Sequence, residues 1–142
     1  MHTYLTAAFL AVSLAMSSTL CAAALKNKNT NPLLRCEVSY ADQTTVIESR
    51  LQTSPYEIQP VDIAGRFAFK AAMIGTQNKI DHIALYAYFQ ASPKDLPIHE
   101  AIYRGPFKPE ALAQALGPKN YLYAGEVERE LSYQCFLMLE KK

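Results

Sequence analysis

From Leu33 onward the chain runs in a two-residue rhythm. Leu34, Cys36, Val38 and Tyr40 alternate with Arg35, Glu37 and Ser39, the pattern of a strand with one buried face. Ala41-Asp42-Gln43 reads as a turn into a second strand, Thr44–Leu51. Pro55 and Pro60 make any strand near them short or peripheral. Asp62–Met73 alternates most clearly, with Ile63, Phe67, Phe69, Ala71 and Met73 on one face and Asp62, Arg66 and Lys70 on the other. Gly75-Thr76-Gln77-Asn78 then turns the chain into Ile80–Gln90, and Ser92-Pro93-Lys94-Asp95 turns it into Pro97–Arg104. The sole predicted helix is Pro109–Leu116, which has proline first, Glu110 in its first turn and Gly117-Pro118 as a stop. Tyr121–Leu139 returns to alternation, with Leu131, Tyr133, Cys135, Leu137 and Leu139 on one face and Gly125 marking a bulge or bend.

This pattern predicts an all-β fold: an antiparallel sandwich or barrel of about seven strands with one short helix. Tyr133-Gln134-Cys135 resembles the Tyr-x-Cys of immunoglobulin domains, but no Trp follows Cys36 and few residues follow Cys135. The fold is therefore immunoglobulin-like only in a loose architectural sense.

The N-terminus follows a different rule. The 14 Lys and Arg and the 13 Asp and Glu all lie beyond Ala24. Leu5–Leu20 is apolar or small and is followed by Cys21-Ala22-Ala23-Ala24 and the polar stretch Lys26–Pro32. A short apolar run ending in small residues reads as a secretory signal cut after Ala23 or Ala24. The rival readings are an uncleaved anchor and a lipid-modified Cys21, although Leu20 and Ser18 stand in the wrong order for the latter. The chain thus divides into residues 1–24 (signal peptide), 25–32 (polar linker) and 33–142 (a single β domain). Cleavage leaves Cys36 and Cys135, an even count that predicts a structural disulfide in an exported chain.

Leu33–Tyr40, Val61–Lys70, Leu85–Gln90 and Tyr121–Cys135 are together similar to a group of small exported proteins of Gram-negative bacteria. The resemblance implies an envelope protein, periplasmic or secreted. It implies no activity and no site residues.

A formal net charge of +1 argues against a nucleic-acid binder. The terminal lysines Lys26, Lys28, Lys141 and Lys142 look like solubilising ends rather than a phosphate track. With half its residues hydrophobic, the chain has enough apolar surface for a core.

Candidate chemistry centres on the strands flanking Ser92-Pro93. If Gln90 lies opposite Pro97, even positions of the first strand face odd positions of the second. One face then collects Ile83, Leu85, Ala87, Phe89, Ile98 and Ile102, and the other collects His82, Tyr86, Tyr88, His99 and Tyr103. Tyrosine offers a flat contact with a polar tip, so that second face is the candidate binding surface for another envelope protein or a glycan. The bland alternative is that cross-strand tyrosines only stabilise the sheet.

No metal site is expected from His82, His99, Met73 and Met138, and no cofactor is implied. Motifs for a nucleophile elbow, a metalloprotease helix or a phosphate loop are absent from the sequence. Glu126, Glu128 and Glu130 share a face if that stretch is strand, and read as a solvated edge. The expectation is a non-enzymatic binding or structural module with no membrane span after signal cleavage. The alternative is an apolar-ligand carrier with a barrel cavity lined by Phe67, Phe69, Leu85 and Phe89. An enzyme using His82, His99, Asp81 or the Glu126–Glu130 acids ranks last.

Overall fold

The computed structural model describes residues 31–140, so the signal, Cys21 and most of the polar linker lie outside the described residues. Nine strands follow in order: β1 Pro32–Tyr40, β2 Gln43–Gln52, β3 Val61–Ile63, β4 Phe67–Thr76, β5 Lys79–Phe89, β6 Leu96–Arg104, β7 Gln114–Ala115, β8 Asn120–Ala124 and β9 Arg129–Leu139. They form one sheet of order β6-β5-β4-β2-β1-β9-β7, with β3 added on β4 and β8 on β9. Every pairing is antiparallel except a short parallel contact in which Leu51 and Gln52 of β2 meet Met73 and Ile74 of β4. The sheet curls until β6 approaches β8, giving a nearly closed barrel rather than two separate sheets.

Turn chemistry explains the hairpins. Ala41 and Asp42 between β1 and β2, and Gln77 and Asn78 between β4 and β5, all have positive φ, as two-residue turns matching strand twist require. The long alternation over Asp62–Met73 is itself a hairpin. Ala64 and Gly65 turn with φ of 52° and 63°, and Ile63 then pairs with Phe67 on the same face. The buried set expected for one strand survives in two. At Gly75 the β4–β5 register shifts, and a Cβ there would stand 2.0 Å from the carbonyl oxygen of Lys79. Only glycine fits so close a backbone approach.

The interior is filled by Leu34, Cys36 and Val38 of β1, Phe67, Phe69, Ala71 and Met73 of β4, Ile83, Leu85 and Ala87 of β5, and Leu131, Tyr133, Cys135 and Leu137 of β9. The disulfide is formed, and Cys36 and Cys135 are direct register partners on β1 and β9. First and last strands are therefore neighbours, hydrogen-bonded and covalently tied.

Two local expectations are overturned. Pro109–Leu116 is not helical. Gln114 and Ala115 pair with Leu137 and Phe136 of β9, Leu116 N–H donates to the Cys135 carbonyl, and the Glu110 carbonyl accepts from Leu139. A two-turn helix is marginal without packing, whereas the β9 edge offers the segment backbone partners. The only helical turn among the described residues is the 3-10 turn Pro55–Glu57. Likewise, Tyr121–Leu139 is not one bent strand. A turn at Gly125–Glu128, closed by Glu128 N–H to the Gly125 carbonyl, separates β8 from β9. It takes Glu126 and Glu128 off any strand and breaks the expected row with Glu130.

Candidate functional site

The tyrosine–histidine face does not form as one surface. Phe89 pairs with Leu96 and Tyr88 with Pro97, but Ile98 is an extra residue, and beyond it Ala87 faces His99, Tyr86 faces Glu100 and Ile83 faces Tyr103. The expected parity holds only before this bulge, because an inserted residue moves all later side chains to the opposite face. Gln90 contributes as well. Its N–H donates to the Arg66 carbonyl and its amide donates to Asp62 at 2.8 Å, so the β5–β6 ladder starts at Phe89.

Tyr103 and His99 consequently turn inward, while His82, Tyr86 and Tyr88 remain outside with Ile102, which is 47% exposed rather than in the core. Outside, Tyr86 packs beside Ala72, Ile74 and Ala84, and Lys70 Nζ lies 5.9 Å from its ring centre. Burial, then neighbouring Glu100, pushes its phenol pKa upward. Inside, the fully buried Tyr133 shares a 2.7 Å hydrogen bond between its hydroxyl and His99 Nε2. Burial, and then the nearby Tyr103, raises the Tyr133 pKa strongly, so the phenol stays neutral. This pair satisfies polar groups in the barrel seam.

The aromatic residues proposed to line a carrier cavity are packed against one another. Phe67 meets Phe89 edge to face at 5.7 Å and Tyr40 at 5.2 Å, and Phe69 meets Tyr133 at 4.9 Å. Phe67, Phe69 and Leu85 are wholly buried. The hollows found at residues of the barrel ends and outer surface are not lined by these four side chains.

One of those hollows, of about 470 Å³, lies where the β1–β2 turn meets the start of β9. Cross-strand register builds its floor. Thr44 of β2, Ser39 of β1, Ser132 of β9 and Tyr121 of β8 are successive partners and so share the outer side of the sheet, where Ser132 is covered to 6% exposure. Ser39 and Thr44 hydroxyls are bonded at 2.8 Å. Asp42 and Glu130 line the hollow too, and Arg129, also a lining residue, donates from a guanidinium nitrogen to the Tyr40 hydroxyl at 3.1 Å.

Beside this floor stand Tyr121 and Tyr123, 54% and 60% exposed. The Tyr123 hydroxyl donates to Glu130 Oε2 at 2.7 Å, and that bond raises its pKa. Lys119 Nζ lies 5.5 Å from the Tyr121 ring centre. Sequence reasoning did not single out this pair. The available signal was Tyr121 and Tyr123 alternating with Leu122, but the face they occupy follows only once the Gly125–Glu128 turn sets β8 against β9.

Among the described residues, no group of three or more His, Cys, Asp or Glu is placed to hold a metal ion, and no helix is long and apolar enough to cross a membrane. Comparison with protein-family models, curated proteins and solved structures found no match to this chain.

Proposed function

We propose that this chain is an exported, non-enzymatic binding module of the bacterial cell envelope, acting in the periplasm or after secretion. The carrying observation is that aromatic side chains stand on the outside of a filled barrel. Tyr121 and Tyr123 are more than half exposed on one face of β8, beside a polar hollow. Exposed tyrosine combines contact area with a polar tip at little rotamer cost, which suits recognition. Export is supported by the apolar Leu5–Ala24 segment and by the Cys36–Cys135 disulfide, a bond favoured in oxidising compartments.

The test is expression of the full chain in a Gram-negative host, followed by fractionation, intact-mass measurement and co-sedimentation of the exported protein with isolated envelopes. The expected product lacks residues 1–23 or 1–24, carries no free thiol and sediments with the envelope fraction. Retention in the cytoplasm at full mass, or an exported product that binds no envelope component, would overturn the proposal.

A further inference from the structure

Resting on that envelope-binding reading, we infer that the Tyr121–Tyr123 face and the adjoining hollow form a binding site for a neutral carbohydrate chain. Three features converge on this ligand class.

The first is the aromatic platform. Tyr121 and Tyr123 point to the same side of β8, separated by one two-residue strand repeat of about 7 Å. Their rings are held in place by Lys119 over one and Glu130 on the hydroxyl of the other. A positioned ring has less freedom to lose when a ligand arrives. The C–H-rich face of a pyranose ring lies flat against such a surface.

The second is the density of small polar groups beside the rings. Ser39, Thr44 and Ser132 bring hydroxyls to the hollow, Asp42 and Glu130 bring acceptors, and Arg129 brings donors. A hydroxyl both donates and accepts, a carboxylate only accepts and a guanidinium only donates. Sugar diols need this mixture, since each of their hydroxyls plays both roles.

The third is charge. Two lining carboxylates face one lining guanidinium, and around them the adjacent turn adds Glu126 and Glu128 against Lys119 beside Tyr121, leaving an acidic excess. This surface disfavours anionic polymers such as nucleic acid or anionic lipid. A basic peptide is the competing cationic ligand, but the three lining hydroxyls would contribute little to binding an ammonium-rich chain.

The test uses the exported, disulfide-bonded protein with cellohexaose, maltohexaose, chitohexaose and hexalysine as probes, read by titration calorimetry. Tyrosine emission gives a second readout because the chain contains no Trp. At least one hexasaccharide should bind with Kd below about 1 mM. Tyr121→Ala and Tyr123→Ala should each weaken it about tenfold or more, with thermal melts confirming that both variants fold. Tyr123→Phe keeps the ring and should stay within about threefold, and Tyr86→Ala, on the β4–β5–β6 outer face, should bind normally.

No binding by any hexasaccharide, binding unchanged in both alanine variants, or preference for hexalysine would overturn the inference. A chain that ignores these sugars yet co-sediments with envelopes removes the carbohydrate site and leaves the envelope-binding reading standing. Loss of both removes both.

Discussion

Removing the Cys36–Cys135 bond should be the most damaging single covalent change to the folded domain. The bond joins positions 99 apart in sequence, and closing a loop of that size in the unfolded chain corresponds to about 4.7 kcal/mol in the chain-entropy model. Two effects modify the figure. β1 and β9 also hold each other along a continuous ladder from Pro32–Leu139 to Ser39–Ser132, so residual pairing in the unfolded ensemble lowers it. Both sulfurs belong to fully buried residues, so Cys→Ala substitution adds a small packing loss. We expect Cys36→Ala/Cys135→Ala to lose about 3–5 kcal/mol, a large part of the roughly 5–15 kcal/mol typical of a whole domain. With a urea slope of about 1–1.5 kcal/mol per molar, the midpoint should fall by roughly 2–5 M. Circular dichroism should follow the transition, and reduced wild-type protein should behave like the double variant. Each single variant should match the double within about 1 kcal/mol, because either one abolishes the same bond. A midpoint shift below about 0.5 M, or wild-type protein whose two thiols label without reductant, would refute the reasoning.

Tyr133→Phe should cost about 1–2 kcal/mol, because it removes the 2.7 Å bond to His99 and leaves a half-buried imidazole nitrogen unpartnered; thermal melts check it. The same residue sets an alkaline limit. Its pKa is raised in the fold, so its contribution is fully present below the ordinary tyrosine value of 10.0 and is lost as pH climbs above it. Urea midpoints measured upward from pH 9.5 should fall, and fall less steeply in Tyr133→Phe. Gly75→Ala should cost about 3 kcal/mol through collision with the Lys79 backbone. Gly65→Ala, at φ +63° with open space around it, should cost only about 1 kcal/mol; equal losses would show that backbone approach at Gly75 is not the limiting feature.

How far the fold could be read in advance depended on whether a segment kept strict alternation. β1 and β9 did, so their buried residues followed from period two, while the cysteine pair followed from the even count left after signal cleavage. Ile63 and Phe67 were placed on the right face even though a hairpin intervenes, because an antiparallel turn with Ile63 opposite Phe67 preserves the face. The expected grouping of His82, Tyr86, Tyr88, His99 and Tyr103 on one face failed for the opposite reason. One inserted residue, Ile98, leaves composition and periodicity almost unchanged but exchanges Tyr103 and His99 with Glu100 and Ile102. The segment 109–116 shows tertiary pairing overriding local propensity. Its helix signals are genuine, but the β9 edge supplies backbone partners to Gln114, Ala115 and Leu116, and Leu112 is left 79% exposed.

These points bear on why the disulfide and the proposed site belong to one design. The row Thr44–Ser39–Ser132–Tyr121 exists only in the register that sets Cys36 against Cys135, three positions along the same ladder. A one-residue slip of β9 would set Ser39 against Leu131 or Tyr133, carrying hydroxyls toward the core and large apolar groups toward solvent. A bulge elsewhere, at Ile98, has already shown how completely one residue reassigns a face. The covalent tie between β1 and β9 reinforces, where the hollow is built, the register that their buried faces already specify. For the proposed site the disulfide is therefore a second constraint on strand register. As long as the reduced barrel remains folded, burial of Leu131, Tyr133 and Leu137 should keep the same register and with it the hydroxyl row.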